Sequence, residues 1–245
     1  MNAETRQRIQ SYVSDNIDAF HRNRIEKLQR LRLNDVLKRK NPYLFKAKNL
    51  NLAHDLITAI LDATLSSSEE GLFGGFLEEL AIYVAENTGG GQKSAAEGLD
   101  IELVRENTRY LIAVKSGKNW GNASQHHALE RNFQAAVRVL QQSRQVGALQ
   151  PTLGICYGSF RTCQTGAYLH IGGQSFWHLI SGDPNLYIDL IEPLGYQAEQ
   201  HNQRFEEEKG HTYNRFIRDF TQAYCSEAGA IDWPRLVRFV SGNLP

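Results

Sequence analysis

Gly98-Leu99-Asp100-Ile101-Glu102-Leu103-Val104-Arg105, followed by Arg109-Tyr110-Leu111-Ile112-Ala113-Val114-Lys115, reads as the two arms of a β-hairpin. The link Glu106-Asn107-Thr108-Arg109 is short and polar, and Asn tolerates the positive φ that tight hairpin turns require. With Asn107-Thr108 as a two-residue loop, Leu103 pairs with Ile112 and Ile101 with Val114 on an apolar face. Glu102 then pairs with Ala113 and Asp100 with Lys115 on a polar face, facing Cβ atoms being roughly 4.5–5.5 Å apart. A one-residue slip would send the apolar rows to opposite faces, which a half-buried sheet resists. Asp100, Glu102 and Lys115 are therefore expected to project together. The plainer alternative is an ordinary cross-strand ion pair on a surface hairpin.

On the N-terminal side, residues 3–39 read as helical, with Ile9, Tyr12, Val13, Ile17 and Phe20 at helical spacing. Asn41-Pro42 stops that pattern. Leu52, Leu56, Ile57, Ile60 and Leu61 mark another helix, which the segment Leu65–Gly71 with its serine run Ser66-Ser67-Ser68 is expected to break, with Ser68 as a candidate cap. The next helix carries Leu77, Leu80, Ala81 and Val84 on one stripe, Glu78 and Glu79 beside it, and leads through a flexible Gly89-Gly90-Gly91 loop to the hairpin. On the C-terminal side, the polar loop Ser116–Asn122 precedes an amphipathic helix from about Ser124 to Arg144. Its inward residues are Leu129, Phe133, Ala136, Val137 and Leu140. Thr152–Gly158 and Ala167–Ile171 read as strands, and the chain beyond Ser175 as mainly helical. The order helix–hairpin–helix–strand–strand predicts an α/β (α+β) fold, a mixed sheet flanked by helices. The expected organisation is a basic helical region at 1–70, a core at 71–175 and a helical region at 176–245.

The 245 residues are 41% hydrophobic and 22% charged, enough for one sizeable core. Net charge is zero, so no global field announces a polyanionic partner. The distribution is uneven: Arg22–Lys48 holds ten Lys and Arg against two acids, whereas Asp183–Glu208 holds seven acids and one Arg. The basic stretch suits phosphate, or is a solvated helix face. Three cysteines, Cys156, Cys163 and Cys225, show no metal spacing and fit a reducing cytoplasm. No apolar run reaches the ~20 residues of a membrane helix, and Met1–Arg6 lacks a signal-peptide core. Gly89-Gly90-Gly91 lacks the Lys-Ser/Thr of a phosphate loop. His126 and His127 are adjacent and point apart on a helix, a poor metal pair.

The order of helix Glu, Gly-rich loop, strand Asp, strand Lys, helix and strand resembles the PD-(D/E)xK nuclease superfamily, type II restriction endonucleases in particular. The likeness rests on Gly75-Phe76-Leu77-Glu78, Glu97-Gly98-Leu99-Asp100 and Ile112-Ala113-Val114-Lys115-Ser116-Gly117, and covers roughly residues 70–175. The stretches Lys115–Asn122 and Phe176–Gly182 share its flavour. One position departs: the superfamily's acid two residues before the lysine is Ala113 here. Either the carboxylate has moved to Glu102, across from Ala113 in the expected register, with Glu78 as a further ligand, or the site is broken.

The resemblance implies Mg²⁺-dependent hydrolysis of double-stranded DNA by a homodimer, with a companion DNA methyltransferase protecting the host. Hydrolysing a phosphodiester brings negative charge against negative charge, and a hard cation held by oxygen ligands relieves it. Asp100 is expected as first ligand, Glu102 or Glu78 as second and the Val114 carbonyl as third, with Lys115 orienting the attacking water. Ser116, Lys118, Asn122 and Gln125 are candidates for contacting neighbouring phosphates or bases, and Trp120 for touching DNA. The alternatives are a catalytically silent DNA-binding relative and a repair or structure-specific nuclease.

Overall fold

The computed structural model describes residues 1–142 and 147–242. The chain opens with helices α1 (Ala3–Gln29), α2 (Leu33–Lys38), α3 (Pro42–Ala47) and α4 (Ala53–Asn87). The sheet strands follow: β1 (Gly91–Lys93), β2 (Ile101–Arg105), β3 (Thr108–Gly117), then helix α5 (Ala123–Gln142), β4 (Ala148–Tyr157), β5 (Cys163–Thr165) and β6 (Tyr168–Gly172). Helices α6 (Gln174–Ser181), α7 (Leu186–Asp189), α8 (Ile191–Leu194), α9 (Ala198–Tyr224) and α10 (Trp233–Ser241) complete the described chain.

Two compact units form, one from Met1–Ile17 with Phe73–Tyr196, the other from Asp18–Leu72 with the segment from Gln197 onward. The first unit holds the six-stranded mixed sheet, in the order β1-β2-β3-β4-β6-β5. At its centre β3, β4 and β6 run parallel, while β1 and β2 on one side and β5 on the other pair antiparallel. Helix α5 makes the crossover that parallel β3 and β4 require. It lays Leu129, Phe133 and Ala136 onto Leu111, Ala113, Leu153 and Ile155. Ile112 and Val114, pointing the other way, are equally buried. A strand covered on both faces reads as a continuous apolar run, as Leu111–Val114 does. Helix α6 rests on β4 at Gly154, where any Cβ would run into the Phe176 ring. The second unit is helical, built around Leu28, Leu37, Ile57, Leu61, Phe216 and Phe220.

The mixed sheet flanked by helices is as the sequence predicts; several local details differ. The helical reading of 3–39 divides at Gln29 and resumes at Leu33, and Asn41 caps α3 rather than only stopping a helix, accepting from the Tyr43 and Leu44 N–H groups. The serine run does not break α4, whose 35 residues pass through Ser68, with buried Ile60, Leu61 and Leu65 before the run and buried Phe76 and Leu77 after it. Gly91 is not loop but the first residue of β1; a Cβ there would lie 2.6 Å from the Ala85 carbonyl oxygen. β4 begins earlier than expected and includes Pro151, tolerated because its pairing with β6 starts only at Thr152. The short β5 lies between the two expected strands Thr152–Gly158 and Ala167–Ile171. The expected helix end at Ser143-Arg144 lies outside the described residues.

The hairpin register also differs. Ile101 pairs with Ile112, Glu102 with Leu111, Leu103 with Tyr110 and Arg105 with Thr108. The turn is thus Glu106-Asn107, both left-handed at φ 47° and 61°, rather than Asn107-Thr108. A two-residue turn of this hand needs positive φ at both central residues, which β-branched Thr resists. The shift is two residues, so each side chain keeps its face, but Glu102 moves away from Ala113 and Asp100, one step before Ile101, comes opposite it. Glu106 is the weak point of this turn. Replacing Glu106-Asn107 by Asn-Gly should stabilise the protein by about 1 kcal/mol, raising the thermal unfolding midpoint by roughly 2–4 °C. A lowered midpoint would refute the turn assignment.

Candidate active site

Three elements of the sheet unit converge on Lys115. The first is the end of β3 itself. The second is the segment entering β2. Asp100 donates its backbone N–H to the Ile112 carbonyl at 2.8 Å, and its Oδ2 accepts from the Val114 N–H at 2.6 Å. The carboxylate is thereby tied to the strand that carries Lys115. Its Oδ1 has no hydrogen-bond partner among the described residues, which leaves it open to a cation.

The third element is α4. Lys115 Nζ donates to Glu78 Oε1 at 3.3 Å. α4 passes beside Ser116 at Gly74, one helical turn before Glu78, where an added Cβ would make an ordinary 3.4 Å contact with Ser116 Oγ. Residues i and i+4 share a helix face, so the face that Gly74 turns to Ser116 also delivers Glu78 to Lys115. Burial pushes the Glu78 carboxyl above its ordinary pKa; Lys115 pulls it down, and the negative charge of Asp100 pushes it up again. Two carboxylates thus work against each other around one ammonium. That is the electrostatic signature of a place suited to additional positive charge.

Cys156 on β4 is buried in the same field, and burial together with Glu78 raises its thiol far above the ordinary value. It is a neutral core group, unsuited to nucleophilic work. The indole of Trp120 lies with its ring centroid 5.8 Å from Lys115 Nζ and 4.4 Å from the His126 ring. Trp177 donates its indole N–H to the Cys156 carbonyl at 2.9 Å, a core anchor.

The other sequence candidates are placed as follows. Glu102 is not delivered to Lys115. It faces Leu111, accepts from Ser94 Oγ at 3.2 Å and lies 3.8 Å from Arg109 Nη1. Ser116 adjoins Gly74, and Lys118 is exposed in the following loop. Asn122 and Gln125 engage each other at the start of α5: the Asn122 N–H donates to Gln125 Oε1 at 2.9 Å and the Gln125 N–H to Asn122 Oδ1 at 3.2 Å. This reciprocal cap satisfies helix-start donors. His127 meets Glu130 at 3.6 Å and His126 turns to Trp120. Among the described residues, no group of three or more His, Cys, Asp or Glu side chains converges. A Mg²⁺ ion does not require one, since it is commonly held by one or two carboxylates plus waters and substrate oxygens. Asp100 and Glu78, with the former's free oxygen, fit that demand.

Among comparisons with known proteins, a family model described as type II restriction endonuclease EcoO109I matches residues 7–202 of this chain. The matched stretch contains Glu78, Asp100 and Lys115. A comparison with curated proteins gives no match.

The raised Glu78 carboxyl has a consequence for stability. A carboxyl whose pKa is higher folded than unfolded supports folding below its unfolded pKa, and that support is lost as pH rises through the folded value. At neutral pH ionised Glu78 is therefore a net cost. Glu78→Gln should melt at higher temperature than wild type near pH 7 without divalent metal, with the difference shrinking toward pH 4. Added Mg²⁺ should raise the wild-type midpoint and leave the variant unmoved. Equal midpoints at both pH values would show that Glu78 carries no such penalty.

Proposed function

The chain belongs to the family of the type II restriction endonuclease EcoO109I, and on that footing we propose that it is a Mg²⁺-dependent hydrolase cutting both strands of duplex DNA at a defined sequence. The reading includes a cytoplasmic homodimer and a DNA methyltransferase of the same specificity in the host. The observation that carries it is the 3.3 Å contact between Lys115 Nζ and Glu78 Oε1 beside an Asp100 pinned to the Val114 N–H at 2.6 Å. No helix among the described residues is long and apolar enough to cross a membrane.

In this reading Asp100 and Glu78 hold the ion, with the Val114 carbonyl as a further oxygen. When bound, the ion supplies Lewis-acid stabilisation of the phosphate and acidifies a water. Lys115 donates from Nζ to the attacking water and to the nonbridging oxygen as charge develops, a task for a compact ammonium. Glu78 keeps Lys115 extended toward the reacting phosphate, and the Val114 N–H keeps Asp100 from rotating away. Trp120 covers one side of Lys115 and limits access of bulk water. Ser116 and Lys118, which directly follow Lys115, suit contacts to neighbouring phosphates. Asn122 and Gln125 would reach DNA only by leaving their mutual cap.

One observation favours a second reading, a DNA-binding relative without catalysis. Ala113 leaves the position opposite Asp100 without a carboxylate, and it is fully buried. Incubation with plasmid DNA separates the two. The nuclease reading expects discrete fragments with Mg²⁺ and none with EDTA; intact DNA across several unmethylated substrates would establish the silent relative, and random nicking a repair-type nuclease. Asp100→Ala should abolish cutting while binding survives. Glu78→Ala should slow cutting by at least about 10²-fold, whereas Glu102→Ala should stay near wild type. The reverse ranking of the last two would move the second carboxylate to Glu102.

A further inference from the structure

The ten Lys and Arg of Arg22–Lys48 take no part in the site around Lys115. In the helical unit part of this charge gathers where α1 gives way to α2. Lys27, Arg32 and Arg39 are exposed and Lys40 partly so. Among the described residues none of these four has an ion-pair partner, while neighbouring Arg30 is neutralised by Glu26 at 3.0 Å. These side chains line one hollow of about 560 Å³ in which Asp35 is the only carboxylate among the described lining residues.

The lining of the hollow also includes Ser67 and Ser68 from α4. Serine is a weak helix former that normally serves as a cap or turn residue. Here the serine run lies inside an unbroken helix and caps nothing. Neither the Ser67 nor the Ser68 hydroxyl has a hydrogen-bond partner among the described residues, whereas nearby Thr64 donates to the Ile60 carbonyl at 2.7 Å. Side chains of such small size keep the hollow open, and their hydroxyls are free to donate into it. None of the exposed large apolar side chains lines it. Leu31 and Val36 also belong to the lining, but neither is an exposed side chain, and the free ammonium and guanidinium groups with free hydroxyls match a phosphate backbone.

We propose that this hollow between α1, α2 and α4 is a sequence-independent contact for the phosphates of duplex DNA, additional to the Lys115 site. The inference rests on the reading of the chain as a DNA enzyme. Its role would be to add affinity and hold the duplex, while recognition of bases lies elsewhere.

The test is binding of a short labelled duplex of arbitrary sequence, in EDTA so that no cutting occurs, measured by anisotropy over a range of salt. The full-length protein is compared with Arg32→Gln/Arg39→Gln/Lys40→Gln and with Ser67→Ala/Ser68→Ala. The triple variant should bind at least about tenfold more weakly at physiological salt, and the slope of log affinity against log salt should fall by about 2 to 3. The alanine pair should bind more weakly even though alanine favours the helix and thermal stability rises, which separates contact from folding. Unchanged affinity and slope in the triple variant, with wild type binding duplex and cutting plasmid, would overturn this inference alone. Failure of wild type to bind duplex at all, including capture of phosphatidylglycerol vesicles in its place, would overturn the DNA reading and this inference together.

Discussion

The hydrogen bond from the Val114 N–H to Asp100 Oδ2 is the constraint on which the candidate site rests. It fixes an acid outside β2 to the backbone of β3 one residue before Lys115. Without it the Asp100 backbone would still be held by its N–H bond to the Ile112 carbonyl, but the carboxylate would be free to rotate. With it, acid and lysine are held by a sheet whose central strands are buried on both faces. A group on such a strand moves only if the sheet moves. The geometry is therefore set by the cooperative packing of α5 and α6 on β3 and β4, and not by the polar groups themselves.

Glu78 is held differently. It comes from α4, and its position depends on how closely that helix approaches the end of β3. Gly74 lies at that approach, beside Ser116. Burial and the neighbouring Asp100 both work against the Glu78 charge, and Lys115 offsets only part of that. A carboxylate whose charge is opposed by its surroundings in the empty site gains when a cation arrives. Stability of the empty protein and affinity for a cation are thus opposed at one side chain.

Much of the fold was legible in the sequence. The apolar runs of β3 and β4 and the helical stripe of α5 have the periodicity and burial that sequence reading relies on, and Asp100, just before β2, and Lys115, near the end of β3, stand out as polar residues beside apolar runs. The register was less accessible. Alternation fixes which face a side chain occupies, but a slip of two residues preserves every face, so only turn chemistry could decide it. There the competing choices differed in whether Thr108 or Glu106 accepts a left-handed conformation. This one choice moved Glu102 off the candidate pair and left Glu78 as the acid beside Lys115. The serine run misled for a different reason: local preference favours a break there, and the buried apolar side of α4 overrides it. Asn122 and Gln125 carry the chemistry of a nucleic-acid contact and of a helix cap alike, and only coordinates distinguish the two.

Ala113 sits beneath α5, in the same apolar cluster as Leu129 and Phe133. The space it occupies is one methyl deep. A longer acidic side chain there would have to displace the helix or surrender its charge, since an unpaired carboxylate among those rings is far too poorly solvated to stay ionised. The division of labour between strand and helix is thus locked in by volume. To move the second acid from α4 onto β3, a designer would first have to carve a polar channel through the interface of α5 with the sheet, and the exchange would require several coordinated substitutions.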